Sequence, residues 1–211
     1  MRFAPGLALL AVLTVPLGLS AQDLKTPEDW SVRFDAASAS RADLEMFVEM
    51  PPGWHVTSGP AAIYWGPGME ASGAFRVEME VYLFDPGERR EAFGIFLGGS
   101  NLESDAQEYT YFLIRNGGQF ILKRREGAEA PTLQGWTGND AIKSFADRGD
   151  GASVLNVLAI DADAETVRFY VNDAEVASLP RADVGVDGTF GFRVNHGLNL
   201  HISRIEIMPR P

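Results

Sequence analysis

The chain has 211 residues, of which 45% are hydrophobic and 22% charged, and its formal net charge at pH 7 is −11. An acidic chain repels the phosphate backbone of nucleic acids and anionic membrane surfaces, so we expect neither as a partner. Neutral ligands are not excluded by charge, and cations are favoured. The chain has no cysteine, which excludes disulfides and is more typical of a bacterial than of a eukaryotic secreted domain.

The first 21 residues have the pattern of an export signal. Arg2 supplies a positive charge, residues 7–19 are largely apolar, and Leu19-Ser20-Ala21 offers small residues before Gln22. The apolar run is shorter than the roughly 20 residues that a membrane helix needs, and no later segment approaches that length. We therefore expect cleavage after residue 21, export to the periplasm or the outside, and one domain at 22–211. An uncleaved anchor is the alternative.

Alternation with a period of two dominates residues 75–83. Apolar side chains occupy the odd positions and polar side chains the even ones, which is typical of a half-buried strand. Further strands are predicted at 93–97, 109–115, 119–124, 154–161, 167–171, 175–179, 190–195 and 200–207. A helix is considered only for the Ala/Ser-rich segment 36–44. About twelve short strands in one domain favour an all-β fold, a two-sheet antiparallel jelly-roll sandwich.

Two local patterns predict details of these strands. Asn116-Gly117-Gly118 separates two of them and predicts a tight hairpin, because Asn and Gly tolerate positive φ angles. The apolar positions are even up to Ile202 and odd from Ile205 onward, which predicts a β-bulge near Ser203-Arg204.

The C-terminal half carries a family resemblance. It contains Thr166-Val-Arg-Phe-Tyr-Val-Asn-Asp-Ala-Glu-Val-Ala177, and it ends with Gly188-Thr-Phe-Gly-Phe-Arg193 followed by apolar alternation at 198–207. The first segment resembles the V-x-F-Y-V-N-G-x-x-V hairpin of the concanavalin A-like lectin/glucanase superfamily, and the second resembles that superfamily's last strands. The resemblance covers about the last two-thirds of the chain.

Within that superfamily, the chain most resembles secreted domains related to 3-keto-disaccharide hydrolases, and laminin-G-like domains come second. The resemblance implies a concanavalin A-like jelly-roll sandwich and a sugar-related role. The chain departs from the hydrolase-like group at Phe93-Gly-Ile-Phe-Leu97, where an N-S-G-I type of segment is expected. Its Gln107-Glu-Tyr109 is only loosely similar to the group's G-Y-E.

Two glutamates form a candidate catalytic pair. Glu78 and Glu80 leave the same face of one predicted strand, so their side chains are about 7 Å apart. Glycosidases use two carboxylates about 5–9 Å apart, one as the acid and one as the nucleophile or base. The alternative, which we favour, is a solvated outer strand face, because Arg76 and Tyr82 share that face.

Histidines and asparagines form a candidate ligand-binding set. His55, His196 and His201 are the chain's only histidines, and Asn195 and Asn199 lie close to the last two in sequence. Such donors and acceptors suit sugar hydroxyls. Zinc sites need three or four ligands at tighter spacing, so no metal site is predicted here. The alternative is an ordinary polar strand edge.

Tryptophans in Gly/Pro-flanked segments complete the candidate ligand-binding residues. Trp54, Trp65 and Trp136 are predicted on loops, where exposed rings can stack on the C–H faces of sugars. The alternative is that these rings cap the ends of the core. Arg115, at the end of the predicted strand 109–115, is also a candidate ligand-binding residue.

Three functions remain open. The first is a secreted, noncatalytic carbohydrate-binding domain, with Trp54, Trp65 and the polar C-terminal strand as one platform. The second is a glycoside hydrolase related to the 3-keto-disaccharide group. The third is a laminin-G-like adhesion domain that binds protein. No cofactor is expected, apart from a structural calcium ion for which acidic turns such as 147–150 could supply oxygens. Ordinary turn aspartates are the alternative there.

Overall fold

The computed structural model describes residues 25–210, so the predicted export signal at 1–21 lies outside the described residues. The described chain forms fifteen β-strands and three short 3₁₀ helices. The strands are β1 (Ser31–Phe34), β2 (Met46–Glu49), β3 (Trp54–Thr57), β4 (Ala62–Trp65), β5 (Glu70–Ala71), β6 (Phe75–Phe84), β7 (Ala92–Ser100), β8 (Glu108–Arg115), β9 (Gln119–Glu126), β10 (Thr132–Gly138), β11 (Ser153–Ala162), β12 (Thr166–Val171), β13 (Ala174–Pro180), β14 (Gly188–Val194) and β15 (Asn199–Pro209). The 3₁₀ helices are Arg41–Asp43, Phe145–Arg148 and Arg181–Asp183.

The strands form two antiparallel sheets. Sheet A has the order β1-β4-β14-β7-β8-β9-β10, and β5 also pairs with β14. Sheet B has the order β13-β12-β11-β6-β15-β3-β2. All of these pairings are antiparallel. The predicted all-β, two-sheet sandwich is therefore confirmed.

One apolar layer fills the space between the two sheets. In β6, the odd-numbered apolar side chains from Phe75 to Leu83 are at most 1% exposed, while the even-numbered side chains face outward. The opposing sheets meet where the ring of Phe112 in β8 packs edge-on against Phe169 in β12, with centroids 5.3 Å apart. The period-two pattern thus decides which side chains remain available on the outer faces.

Both local predictions are confirmed. Strands β8 and β9 form a hairpin in which Gly117 and Gly118 have φ angles of 98° and 75°. The register of β15 against β6 shifts between Ile202 and Arg204. This bulge places Ser203 and Arg204 on the same outer face of sheet B, where both contact the Glu80 carboxylate.

Three segments predicted as loops are strands. Trp54 begins β3, Trp65 ends β4, and Trp136 lies in β10. The glycines and prolines on both sides of β3 and β4 predict loops, but they lie outside the strands and do not interrupt them. Fifteen strands therefore replace the about twelve expected.

The segment 36–44 contains only the 3₁₀ helix Arg41–Asp43. The carboxylate of Asp43 accepts a hydrogen bond from the backbone N–H of Ser40 at 2.8 Å, which caps the start of the helix, and the extended backbone of Leu44 ends it after one turn. Within residues 25–210, no helix has the length and apolarity to cross a membrane.

Sheet A also buries apolar side chains on its outer face. This second cluster consists of Ile63, Ala92, Phe96, Leu102, Tyr109, Tyr111, Leu113 and Ile121. Leu102 belongs to the connection between β7 and β8, so that connection covers part of the face. Arg33 in β1 holds the connection in place, because it donates to the carbonyl oxygen of Glu103 and pairs with Asp105, both at 3.0 Å.

A buried ion pair lies beside this second cluster. The Arg193 side chain in β14 is 7% exposed, and it donates to Asp35 Oδ1 at 2.9 Å and to the Tyr109 hydroxyl at 3.1 Å. Burial alone would raise the pKa of Asp35, but the hydrogen bonds and charge of Arg193 outweigh burial and lower it. Asp35 therefore neutralises a guanidinium that water cannot reach.

We expect Asp35→Asn to lower the free energy of unfolding at pH 7 by about 2–3 kcal/mol, because it leaves Arg193 buried without a counter-charge. The Asp35 side chain is 33% exposed, so this expected loss is smaller than for a fully buried pair. Since folding lowers the pKa of Asp35, its contribution is present above the ordinary pKa of an aspartate, 3.8, and is lost as the pH falls through the folded-state pKa.

Urea unfolding of the wild type and the variant at pH 7 and at acid pH measures both effects. Asp105→Asn is the matched control, because Asp105 pairs with Arg33 but is fully exposed, and we expect little change. Equal stability of Asp35→Asn and the wild type at pH 7 would contradict the role of the pair.

Candidate functional site

An apolar groove lies on the outer face of sheet B. In this sheet β15 lies between β3 and β6, and His201 is opposite both His55 and Tyr82. The cavity above these residues has a volume of about 510 Å³. Its lining consists of Met50, Pro51, Pro52, His55, Tyr82, Phe84, Ser153, His201 and Ser203, which we call the His55–His201 groove.

Aromatic rings form much of the groove's surface. The centroid of the His55 ring is 5.3 Å from that of Phe84 and 6.1 Å from that of His201. The centroid of the Tyr82 ring is also 6.1 Å from that of His201, so His201 lies between His55 and Tyr82. The groove therefore combines ring faces for apolar contact with nitrogen and hydroxyl groups for hydrogen bonds.

Several polar atoms at the groove have no protein partner. Among the described residues, nothing bonds to the buried Nδ1 atoms of His55 and His201 or to the buried Oδ1 of Asn199. A 180° rotation of an imidazole ring exchanges its nitrogen and carbon positions, so either ring can direct a different nitrogen outward. The site therefore holds hydrogen-bonding capacity that a ligand with hydroxyl groups could use.

Both groove histidines have lowered pKa values. Burial lowers the pKa of His55, the neighbouring Asn199 side chain opposes that effect, and the charge of His201 lowers the pKa further. Burial also lowers the pKa of His201, against a raising effect of the Pro52 backbone. The neutral imidazoles each have one donor and one acceptor nitrogen, which matches a hydroxyl group that does both.

A second cavity of about 330 Å³ adjoins the groove. It shares Pro51 and Ser203 with the groove and is also lined by Trp54, Arg204 and Glu206. Here the predicted Trp54 is half-buried, because its ring packs at 4.6 Å from that of Trp30 in the segment before β1. Trp54 therefore forms a wall of this cavity and is not a freely displayed loop residue.

The candidate acids Glu78 and Glu80 lie on the same outer face but are neutralised by arginines. Arg204 pairs with Glu78 at 2.8 Å and with Glu80 at 2.7 Å, and Arg76 pairs with Glu78 at 3.0 Å. Hydrogen bonding from Arg204 lowers the pKa of Glu80. Both carboxylates therefore belong to one charge network with Arg204 and Arg76.

Trp65 and Arg115 lie away from the groove. They are on the outer face of sheet A, on the far side of the core from His55 and His201. Trp65 packs against Phe96 at 6.4 Å, and the Arg115 guanidinium lies 3.8 Å from the ring centroid of Trp136. Because Trp54 and Trp65 belong to different sheets, the single platform expected from the sequence is not formed.

Asn195 and His196 follow β14 in a turn at the end of sheet A. His196 Nδ1 is 3.6 Å from a Glu91 carboxylate oxygen, and the buried Asn195 Oδ1 has no hydrogen-bond partner within residues 25–210. The structure thus brings His55 and His201 together in the groove, with Trp54 in the adjoining cavity, and it separates them from Asn195 and His196. Their roles in ligand binding stay predictions.

Tyr82, Phe84 and Arg204 were not among the sequence candidates. Alternation did place Tyr82 on the outer face of its strand, but only strand order shows that His201 is its neighbour. Among residues 25–210, no three His, Cys, Asp or Glu side chains converge closely enough to hold a metal ion.

Comparison with known proteins supports the fold class. No family model and no curated protein matches the sequence. The carbohydrate-binding module CBM66 from Bacillus subtilis has a similar structure, with 12% identity over 85% of this chain and 94% of that chain and a TM-score of 0.60. A Bacteroides ovatus GH16 protein in complex with a G4G4G3G product has 9% identity over 88% and 97%, also with a TM-score of 0.60.

A human galectin-16 variant is also similar, with 11% identity over 78% of this chain and 99% of that chain and a TM-score of 0.51. This chain shares its two-sheet jelly-roll sandwich with these structures, so the fold expected from the strand pattern is confirmed. At such identities the likeness establishes the fold alone.

We expect the two groove histidines to make stability depend on pH. Folding lowers the pKa of both, so their contribution is complete above the ordinary pKa of a histidine, 6.5, and decreases as the pH falls below it. Thermal unfolding between about pH 7.5 and pH 5 should therefore show a falling midpoint, and His55→Gln with His201→Gln should flatten that slope. The single variants are the controls, each with an intermediate slope. An unchanged slope in the double variant would contradict the burial of neutral imidazoles.

Proposed function

We propose that the protein is a noncatalytic carbohydrate-binding domain that holds its ligand in the His55–His201 groove. The observation that carries this proposal is the row of His55, His201 and Tyr82 across three adjacent strands, which forms an apolar cavity with unpartnered polar atoms. A sugar presents the same combination, because its C–H faces are apolar and its rim carries hydroxyl groups.

The groove's polar groups suit neutral hydroxyls better than charged groups. The imidazole nitrogens of His55 and His201 can donate or accept, and Ser153 and Ser203 also line the groove. The adjoining cavity extends the groove toward Trp54. A ligand longer than one sugar ring could therefore continue from the groove across Ser203 into that cavity.

The similar structures named above include a carbohydrate-binding module and a galectin, which is consistent with this proposal. Fold-level likeness is analogy, so the groove itself carries the argument. Export through a signal at 1–21 remains part of the proposal and would place the domain in the periplasm or outside the cell, where glycans are accessible.

Glycoside hydrolysis at Glu78 and Glu80 is less well supported. A general acid in a glycosidase needs a raised pKa so that it stays protonated near neutral pH. Arg204 has the opposite effect on Glu80. We therefore expect no turnover that depends on Glu80, and a hydrolytic activity lost in Glu80→Gln with the fold retained would overturn the noncatalytic assignment. A laminin-G-like adhesion role would be supported by calcium-dependent stability, which stays untested.

We predict that Tyr82→Ala weakens glycan binding about tenfold or more, because the groove loses an aromatic wall worth about 1.5 kcal/mol or more. A thermal-shift screen of residues 22–211 against a glycan panel would first identify a ligand, since a ligand at about 100 times its Kd adds about 2.7 kcal/mol. Calorimetry would then measure the affinity of the variant.

Tyr170→Ala is the matched control. Tyr170 also lies on the outer face of sheet B, but it is outside the groove, where its ring contacts the Arg76 guanidinium at 5.3 Å. We expect this variant to bind like the wild type. The proposal fails if no glycan in the panel binds, or if Tyr82→Ala and Tyr170→Ala have the same effect.

A further inference from the structure

A second polar site lies on the outer face of sheet A, far from the groove. At its base, Arg193 bonds to Asp35 and to the Tyr109 hydroxyl, and its guanidinium carbon is 5.1 Å from the ring centroid of Tyr111. Tyr109 and Tyr111 are 2% and 7% exposed, so they form a buried floor and not a stacking surface. Charges above such a floor are poorly screened by water.

Arg125 and Lys123 stand beside this floor. In the β8–β9 pairing, Arg125 is opposite Tyr109 and Lys123 is opposite Tyr111. Tyr109, the cross-strand neighbour of Arg125, accepts a hydrogen bond from Arg193, so Arg125 lies on the same face as the Arg193–Asp35 pair. Asp35, Arg125 and Arg193 therefore belong to one cluster. We call this cluster, with Lys123 included, the sheet A cationic site.

The site contains more positive than negative charge. None of the ion pairs among residues 25–210 involves Arg125 or Lys123. Arg193 and Asp35 neutralise each other, which leaves two cations without a carboxylate. The Nε atoms of Arg125 and Arg193 are buried and have no partner among the described residues. A partly buried guanidinium without a counter-ion is costly, so the site favours an anion.

The remaining groups restrict the chemistry of that anion. The chain as a whole carries a net charge of −11, which disfavours the approach of a polyanion. Asp35 keeps a third of its side chain exposed, and its free carboxylate surface can accept hydrogen bonds from hydroxyl groups. A matching ligand therefore has one carboxylate for Arg125 and Lys123 and hydroxyl groups for Asp35.

We propose that the sheet A cationic site binds the carboxylate of a sugar acid, with Arg125 as its principal contact and Lys123 beside it. An arginine offers a planar pair of donors to a carboxylate, which gives both affinity and orientation. This site does not depend on the proposed function of the His55–His201 groove, because the two lie on opposite outer faces of the sandwich.

The test is an NMR titration of the full domain with glucuronate, glucose and cyclohexanecarboxylate. Glucose lacks the carboxylate and cyclohexanecarboxylate lacks the hydroxyls, so we expect each to bind about tenfold or more weakly than glucuronate. Glucuronate affinity should fall as salt is raised. The shifted amides should lie in β8, β9 and β14, and Tyr82→Ala should leave this binding unchanged.

Arg125→Gln should weaken glucuronate binding about tenfold or more, and Lys123→Gln should weaken it to a smaller extent. Arg124→Gln is the matched control, because the neighbouring Arg124 already pairs with Glu108 at 3.3 Å and with Glu126 at 3.0 Å. Thermal unfolding would verify that the variants are folded. Equal affinity for glucose and glucuronate, or equal losses in Arg125→Gln and Arg124→Gln, would overturn the proposal.

Discussion

The apolar layer between sheets A and B is the constraint on which the rest of the structure depends. Every long strand contributes alternate side chains to this layer, as β6 does from Phe75 to Leu83. Burial of this layer supplies the main favourable free energy of folding. Because a shift of one residue would turn every buried side chain outward, the layer also sets the register of each strand. The side chains that can meet a ligand are therefore those left on the two outer faces.

The two outer faces differ in chemistry because the side chains that point away from the core differ between the two sheets. On sheet B the outward-facing side chains include imidazole, phenol and carboxylate groups around β15. The bulge at Ser203 and Arg204 directs two adjacent side chains to Glu80. On sheet A the outward-facing side chains are mostly apolar or cationic, and the Arg193–Asp35 ion pair lies among them. An apolar groove with neutral polar groups and a cationic site are thus separated by the thickness of the sandwich.

Long alternating strands such as β6 were predictable because alternation over eight or more residues is hard to produce in any other structure. The short ones were not. In β4, three of the four residues are buried, so both strand faces are covered and no alternation remains to be read. The Asn-Gly turn and the bulge of β15 were predictable because each depends on a few consecutive residues whose conformational preferences are known.

The site was only partly predictable, because it depends on strand order. His55 and His201 were candidates by residue type, but their juxtaposition requires β3 to pair with β15, which lies at the other end of the described chain. Trp54 and Trp65 illustrate the opposite case, since they are close in sequence yet belong to different sheets. Arg204 was not a candidate, although it pairs with Glu80 and lowers the pKa of that carboxyl group. Local sequence patterns do not contain these non-local pairings.

The central claim is that the His55–His201 groove is where a carbohydrate binds. A crystal structure of the domain with a saccharide selected from a glycan panel tests it most directly. The account predicts a sugar ring in contact with Tyr82 and within hydrogen-bond distance of the His55 or His201 ring. A neutral saccharide bound only on the outer face of sheet A or at the turns, with the groove empty, would contradict it.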